Sequence, residues 1–265
     1  MQFDDKIIVI TGGASGIGKA LAIEAKSEGA RAVVVVDLDK AGADEVASEI
    51  GGISYALDVS DEQAVETMID HIETNVGPID IYFSNAGVLF TDAPSFDCYA
   101  QSTDQWNKAW SINVLAHTHV ARALFPLYKK RGSGGLIITA SAAGLLSQIG
   151  DALYSTTKHA AVGLAEAMAI AHGDDGITVA ALCPQAVESK MTAGAEKSTA
   201  AMDGMLTGEE MAKRSFNQLK EGRFMVRPHE QVEEYFKHKA ENYDRWVGGM
   251  RKMRRMQIKA NGTPM

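Results

Sequence analysis

The sequence has little cysteine and no long apolar run, and each shortage excludes a class of protein. Its 265 residues include only two cysteines, Cys98 and Cys183, so no disulfide framework is expected and a reducing cytoplasm is the natural compartment. No apolar segment approaches the roughly eighteen residues that a membrane span needs. The N-terminal residues also lack the basic-then-apolar pattern of a signal peptide. We therefore expect a soluble, cytoplasmic protein.

Positive charge is also scarce. Lysine and arginine number 26 against 34 aspartates and glutamates, which gives a formal net charge of -8. A surface of this sign disfavours nucleic acid or an anionic membrane as a general partner. The content of 46% hydrophobic and 23% charged residues is ordinary for a globular protein and argues against disorder. No nucleic-acid or membrane partner is expected.

What the sequence does contain is an alternation of short β-branched runs with longer segments of helical period. This alternation indicates βαβ units, and runs that are apolar throughout indicate strands covered by helices on both faces. The predicted fold class is therefore α/β, a doubly wound parallel sheet of about seven strands. The predicted strands are 6–11, 31–37, 53–59, 79–84, 135–141, 177–182 and 223–227, and the predicted helices are about 16–28, 40–50, 61–75, 103–129, 151–172 and 208–220.

No linker or solenoid-length repeat divides the chain. The simplest division is one domain over residues 1–228, followed by a helical C-terminal extension over 229–265. Two irregular stretches, 91–102 and 185–206, leave the sheet at the carboxyl ends of strands, where ligands bind in open α/β sheets. Each is either a wall of the substrate site or a mobile surface loop, and the second is the predicted substrate loop.

The first predicted strand runs directly into the glycine-rich residues 11–18, which open a helix. Glycines here let the backbone approach a pyrophosphate, while the helix N-terminus offers N–H groups to it. The spacing of Gly12, Gly16 and Gly18 is not the common GxGxxG and would be a weak signal alone. The second strand, however, ends in Asp37, where a carboxylate can accept both adenine-ribose hydroxyls. Together they predict a dinucleotide site.

Asp37 also selects the dinucleotide. A phosphate charge about 4 Å from this carboxylate would be repelled by about 4 kcal/mol at an effective dielectric constant of 20, nearly three decades of affinity. Neither Ser15 nor Leu38 supplies a compensating cation. We therefore expect NAD rather than NADP. The alternative role for Asp37 is an N-cap of the next helix.

A second group of polar residues lies in the middle of the chain. Ser141 ends the fifth predicted strand, and Tyr154 and Lys158 lie four residues apart, on one face of the next helix. A free phenol has a pKa of about 10, and a neighbouring cation lowers a pKa by about 1 to 3 units. We therefore expect Lys158 to make Tyr154 a proton carrier at neutral pH, while Ser141 holds the substrate oxygen.

Residues 11–18, the Asn-Ala-Gly triplet at 85–87, Ser141 and the Tyr154-x-x-x-Lys158 pair together resemble the short-chain dehydrogenase/reductase family, over about residues 5–228. The resemblance implies a Rossmann-like fold and NAD-dependent interconversion of a secondary alcohol and a ketone. It also implies a homotetramer or dimer built on the helices that begin near residues 103 and 151.

The resemblance further implies a set of site residues. Asn113 would be a fourth catalytic residue, which links Lys158 to solvent through water. Asp58 and Val59 would contact the adenine, and Lys158 would bind the nicotinamide ribose. The expected cofactor-binding residues, including those predicted above, are Gly12, Ser15, Gly16, Ile17, Gly18, Asp37, Leu38, Asp58, Val59, Asn85, Ala86, Gly87, Tyr154, Lys158, Pro184, Val187 and Ser189.

The chain departs from the family pattern after the sixth strand. In residues 184–189, Gln185 replaces a glycine and Ser189 replaces the threonine that would hold the carboxamide. The hydroxyl is retained, so we expect nicotinamide docking to persist and the side chain of Gln185 to narrow the pocket. Four methionines around the predicted substrate loop either line a pocket for a bulky apolar or aromatic small molecule or fill gaps in the core. They are Met191, Met202, Met205 and Met211.

Two rival functions are an NAD-binding regulatory protein of the same fold without turnover and an NADPH-dependent ketone reductase, which Asp37 disfavours. The histidines lack paired ligand spacing, so no metal is expected.

The segment from Tyr235 onward contains eight lysines and arginines but only two acidic residues, and its apolar residues recur at helical spacing. We expect an amphipathic C-terminal helix that packs on its own domain or on a partner subunit.

Overall fold

The computed structural model describes residues 1–194 and 198–263 and contains one parallel sheet in the order β3-β2-β1-β4-β5-β6-β7. Every neighbouring pair of strands is parallel. The order reverses between β1 and β4, and ligands bind at such a reversal in open α/β sheets. The predicted doubly wound sheet is confirmed. The strands are β1 Ile7–Thr11, β2 Ala32–Asp37, β3 Ile53–Ala56, β4 Ile81–Ser84, β5 Gly134–Thr139, β6 Ile177–Leu182 and β7 Met225–Val226.

Ten α-helices are found in the described part of the chain, and most of them cover the two faces of the sheet. Side chains alternate between faces along a strand, so Ile7 and Val9 pack into one core cluster while Ile8 and Ile10 pack into the other. The helices are α1 Gly16–Ser27, α2 Lys40–Ile50, α3 Glu62–Asn75, α4 Thr103–Trp110, α5 Ala116–Arg131, α6 Ala143–Leu146, α7 Ala152–His172, α8 Gly208–Lys220, α9 Glu230–Glu241 and α10 Tyr243–Asn261.

Two helical predictions require correction. The helix expected over 103–129 is interrupted by a π-helical turn, Ser111–Leu115, and ends at Arg131. The single C-terminal helix is in fact two, because the chain leaves helical geometry at Asn242. The side chain of that residue accepts a hydrogen bond from the Arg245 N–H and caps the new helix. None of the helices in the described ranges is long and apolar enough to span a membrane.

The two C-terminal helices differ in how they pack. Helix α9 is anchored on the domain by Val232 and Lys239, both buried. The Lys239 ammonium donates a hydrogen bond to the carbonyl of Leu145 in α6. Helix α10 has no buried residue. Its partly buried Trp246 nevertheless packs against the core cluster, so the helix lies against the domain along one side only.

Candidate active site

The glycine-rich residues after β1 form a loop with no room for side chains. Gly12 and Gly16 have φ values of +67° and +52°, which disfavour other residues. A Cβ on Gly18 would lie 2.0 Å from the Gly12 carbonyl oxygen, and one on Gly12 would lie 3.0 Å from the Cα of Ala86. Ser15 precedes α1 with an extended backbone, and its side chain makes no capping bond. The loop therefore presents backbone and a helix N-terminus, as anion binding requires.

Asp37 lies at the carboxyl end of β2, beside this loop. One of its oxygens accepts a hydrogen bond from the Ala14 N–H at 3.0 Å, and the other accepts one from the Asp39 N–H at 3.0 Å. The N-cap of α2 is Asp39, whose side chain accepts from the Gly42 N–H. The alternative role for Asp37 as the cap is therefore wrong. The next residue, Leu38, is 73% exposed.

The triplet at 85–87 joins the ends of β1 and β4. The Thr11 hydroxyl accepts the N–H groups of Asn85 and Ala86, at 2.9 and 3.1 Å, and the Asn85 amide nitrogen donates to the Thr11 carbonyl. A Cβ on Gly87 would lie 3.4 Å from the Lys158 ammonium nitrogen and 3.3 Å from the Asn113 Oδ1. The triplet therefore runs from the glycine-rich loop to the predicted catalytic residues.

The two residues expected at the adenine lie in the loop after β3. Asp58 is exposed, and hydrogen bonds from the Ser60 hydroxyl and N–H lower the pKa of its carboxyl. Val59 is half-buried, and its carbonyl oxygen lies 3.3 Å from the His119 Nδ1. Both residues follow the strand next to β2, on the same edge of the sheet as Asp37.

Tyr154 and Lys158 lie on the first two turns of α7, with their side chains together. The Lys158 ammonium is 5.6 Å from the centre of the Tyr154 ring and donates to the Thr139 carbonyl at 2.9 Å. The Ser141 hydroxyl is near enough to the Tyr154 phenol to lower its pKa in part, and it donates a hydrogen bond to the Pro184 carbonyl at 3.4 Å. It also accepts the Ala143 N–H at 3.1 Å. Hydroxyl, phenol and ammonium therefore form one continuous group at the end of β5.

The expected lowering of the Tyr154 pKa is wrong for this arrangement of side chains, because the pKa is raised. Burial disfavours the phenolate and raises the pKa of Tyr154 to about 12, and the nearby Ser141 hydroxyl offsets only part of this rise. Burial also lowers the pKa of Lys158 to about 8. The ammonium lies over the ring face and donates to a backbone carbonyl. Sequence spacing placed the two groups together but could not include the cost of removing them from water.

Asn113 lies in the π-helical turn and is fully buried. Its amide nitrogen donates to the Val88 carbonyl at 2.9 Å and to the Thr157 hydroxyl at 3.0 Å, while its Oδ1 accepts the Val88 N–H. These bonds tie the segment after Gly87 to α7. The side chain thus holds α7 in place, and it flanks Gly87 on the same side as Lys158.

The segment after β6 lies over the glycine-rich loop. The Pro184 carbonyl accepts the Ala142 N–H at 2.8 Å, and Val187 pairs with Leu206 in a short bridge. A Cβ on Gly16 would lie 3.1 Å from the Cβ of Ser189, so this serine faces the loop.

Sequence reasoning missed the residue that holds the segment after β6. The Nδ1 of buried His229 accepts the Gln185 N–H at 3.1 Å, and its Nε2 lies 3.0 Å from the Ala186 carbonyl. This bonding requires a neutral ring, and burial lowers the pKa of His229 in agreement. No local pattern marks the residue, because its partners lie more than forty residues earlier.

A cavity of about 630 Å³ opens over Ser141 and Tyr154. Gln185 lines it, as expected. The cavity is otherwise mainly apolar, and the predicted loop methionines meet side chains from α10 across it. The methionines are Met191, Met202 and Met205, and those from α10 are Trp246, Met250 and Met253.

The lining of the cavity differs from the expected one at several positions. Met211 lies on α8 and is fully buried in the core, so of the two alternatives for this methionine the filling of the core is confirmed. Residues 91–102 contribute nothing to the described lining of the cavity. Instead, Asp92 and Gln101 are buried there and hydrogen bonded to each other. Within the predicted substrate loop, residues 195–197 lie outside the described residues. Sequence reasoning did not foresee the wall formed by α10.

The comparisons with known proteins agree with this geometry. The family model for short chain dehydrogenase matches residues 6–200, and the chain belongs to this family of oxidoreductases. It is 35% identical to meso-2,3-butanediol dehydrogenase of Serratia marcescens, over 73% of this chain and 76% of that protein. It is 33% identical to a 3beta-hydroxysteroid dehydrogenase of Mediterraneibacter gnavus, over 72% and 69%.

A solved structure is similar over most of the chain. The 3-ketoacyl-(acyl-carrier-protein) reductase of Brucella melitensis, complexed with NADH, superposes with a TM-score of 0.77 at 26% identity, covering 86% of this chain and 99% of that one. The family match ends at residue 200, so the whole of the wall that α10 adds to the cavity lies beyond it.

Proposed function

We propose that this protein is an NAD-dependent oxidoreductase that interconverts a secondary alcohol and a ketone, on a bulky apolar or aromatic substrate. The observation that carries the proposal is the group of Ser141, Tyr154 and Lys158 at the base of a large apolar cavity, next to a glycine-rich loop. A hydroxyl, a phenol and an ammonium that lie close together can bind a substrate oxygen and move its proton.

The residues present fit a dinucleotide. In the loop of Gly12, Gly16 and Gly18, a Cβ on any of the three residues would crowd neighbouring protein atoms, so the loop presents only backbone to a ligand. Each oxygen of Asp37 accepts one backbone N–H, and a carboxylate oxygen has a second lone pair for a ribose hydroxyl. The relative solved with NADH supports the same cofactor class. Asp37 and exposed Leu38 favour NAD, because these two positions hold a carboxylate and an apolar side chain, neither of which can bind a 2′-phosphate.

When bound, the nicotinamide supplies the hydride acceptor and, in its oxidised form, a positive charge that favours the phenolate. Tyr154 then removes the hydroxyl proton from the carbinol as the ketone forms, and returns it in the opposite direction. Ser141 steadies the substrate oxygen by a hydrogen bond, and the Lys158 ammonium supports the charged phenolate. Asn113 is a positioning residue that fixes α7 against the segment after Gly87.

The cavity supports a substrate larger than a simple alcohol. Its volume of about 630 Å³ lies within the range of sites that enclose drug-sized ligands. Methionines on one wall adapt to irregular apolar shapes, and Trp246 on the other offers an aromatic face. The relatives named for butanediol and for hydroxysteroids act on molecules of very different size, and the lining here favours the larger kind.

The first test is oxidation of a panel of alcohols with NAD, followed by NADH absorbance. The panel contains a hydroxysteroid, an aryl carbinol, a hydroxy fatty acid and a cyclic diol. We expect turnover of at least one bulky member, with a loss of about 100-fold or more in Tyr154→Phe. The variant keeps the ring and removes only the proton carrier. Tight NAD binding without turnover of any alcohol would instead indicate a regulatory protein of the same fold.

A further inference from the structure

Asp151 is a carboxyl residue that the mechanism above does not use. It lies immediately before α7, at the N-cap position, yet its side chain makes no capping hydrogen bond. The first N–H of the helix, that of Ala152, is accepted instead by the two carboxylate oxygens of Asp92, at 3.2 and 3.3 Å. Gln101 donates to the same Asp92 carboxylate at 2.8 Å. Asp92 therefore caps α7, and the Asp151 carboxyl takes no part in this capping bond.

The Asp151 side chain lines the cavity but lacks a full set of partners. The residue is only 5% exposed, and its Oδ1 makes no hydrogen bond to any described residue. A buried polar atom without a partner costs free energy, so such atoms are rare outside functional sites. Burial and the nearby Asp92 carboxylate raise the pKa of Asp151 to about 7, so near neutral pH the group can both donate and accept a hydrogen bond.

Asp151 is close to the reacting oxygen. It is the N-cap residue of α7, Tyr154 is the third residue of that helix, and both side chains line the same cavity. The charge of Asp151 contributes to the raised pKa of the Tyr154 phenol, which also indicates proximity. A substrate oxygen bound by Tyr154 and Ser141 would therefore leave the oxygen of the neighbouring carbon within reach of Asp151.

We propose that Asp151 is a specificity-determining residue that binds a second oxygen of the substrate. The preferred substrates are then vicinal diols, and the matching α-hydroxy ketones, that carry apolar or aromatic groups. This inference rests on the proposed function of the Tyr154 site. A carboxylate substrate is disfavoured by the two acidic groups. An ammonium substrate is also disfavoured, because it needs several acceptors and the oxygens of Asp92 are already used.

The test compares two ligands that differ by one hydroxyl, 1,2-diphenylethane-1,2-diol and 1,2-diphenylethanol. Binding to the full chain with NADH present is measured by calorimetry, and turnover with NAD is measured separately. In the wild type we expect the diol to bind about tenfold or more tightly than the mono-alcohol, the effect of one hydrogen bond to an ionisable group. Asp151→Leu should bind both equally, and Asp151→Asn should keep part of the preference because an amide also donates and accepts.

The matched control is Asp174→Leu, since Asp174 is exposed just beyond the opposite end of α7. It should keep the wild-type preference. If Asp151→Leu does not fold, Asp151→Ala replaces it and should also bind the diol and the mono-alcohol equally. An equal preference in the wild type and in the Asp151 variants would overturn the inference, as would stronger binding of 2-amino-1,2-diphenylethanol than of the diol. Because the binding ratio does not require turnover, a diol preference without oxidation would reject the proposed function alone.

Discussion

Asp37 contributes to the fold and to the predicted cofactor site through the same carboxylate. Its hydrogen bonds from the N–H groups of Ala14 and Asp39 tie the glycine-rich loop to the end of β2. The carboxylate is therefore held at a fixed position before any ligand arrives. A preorganised charge of this kind discriminates between ligands more strongly than a mobile one, because little entropy is lost on binding.

Replacing Asp37 should change the cofactor. We expect Asp37→Ala combined with Leu38→Arg to raise the ratio of kcat/KM for NADP over NAD by about 100-fold or more, because the change removes a repulsion of about 4 kcal/mol and adds a cation. Steady-state kinetics with both cofactors measures this ratio. Asp39→Ala is the control, since it removes the cap of α2 and leaves the ratio unchanged. An unaltered ratio in the double variant would contradict the assignment of Asp37.

Asp151 should make stability depend on pH. Folding raises the pKa of this carboxyl from its ordinary value of 3.8 to about 7, so the folded state favours the protonated form. Its contribution to stability is complete below pH 3.8 and is lost as pH rises through 7.

Relative to Asp151→Asn, the wild-type free energy of unfolding should therefore fall by about 2 kcal/mol between pH 5 and pH 8. Urea unfolding of both proteins at the two pH values measures the difference. A gap that is constant with pH would mean that the carboxyl titrates normally in the folded protein.

At the scale of elements, the strands and most helices follow from local patterns. The side chains of Ile7 to Ile10 alternate between the two core clusters, and Asp39 and Asp61 cap α2 and α3. Each of these features depends only on residues that are close together in the sequence. The π-helical turn was not predictable, because it is an insertion that depends on packing. Asn113 lies within this turn. It is hydrogen bonded to Val88, in a loop 25 residues earlier in the chain, and to Thr157, in a helix 44 residues later.

Helix α10 has one face on the cavity and another in solvent, which offers a matched pair of variants. Trp246 lines the cavity, whereas the next residue, Val247, does not and is 46% exposed. We expect Trp246→Ala to raise KM for a bulky aryl alcohol about tenfold, because the lost aromatic surface is worth more than 1 kcal/mol, with kcat changed little. Val247→Ala should behave as wild type. Equal effects of the two variants would show that α10 takes no part in substrate binding.

At the scale of the whole molecule, charge and exposed apolar surface are unevenly distributed. The net charge is -8, yet the segment from Tyr235 onward is strongly basic. Large apolar side chains are exposed on helices expected to form subunit contacts. Trp110 and Leu115 are each 39% exposed at the junction of α4 and α5, and Ile170 on α7 is 78% exposed. Such residues are common in subunit interfaces.

We predict that the protein is a homodimer or homotetramer through these helices. Light scattering should give a mass of two or four times 28.4 kDa. Trp110→Glu with Leu115→Glu should yield single chains, because a buried unpaired charge is strongly unfavourable in an interface. Ile23→Glu is the control, since Ile23 is similarly exposed, at 38%, on α1. A wild-type mass of one chain, or an unchanged mass in the double variant, would refute this interface.

The sequence by itself determined the parallel α/β fold, the glycine-rich loop and the Tyr154 and Lys158 pair, because each depends on periodicity or spacing along one or two elements. Only the tertiary structure decided which aspartate caps α7 and that α10 lines the cavity. It also decided that the pKa of Tyr154 is raised by burial, where the sequence predicted a pKa lowered by Lys158. The capping bond from Ala152 to Asp92 spans 60 residues. Such contacts, and the loss of water around a side chain, arise only when distant segments pack together, and no local pattern encodes them.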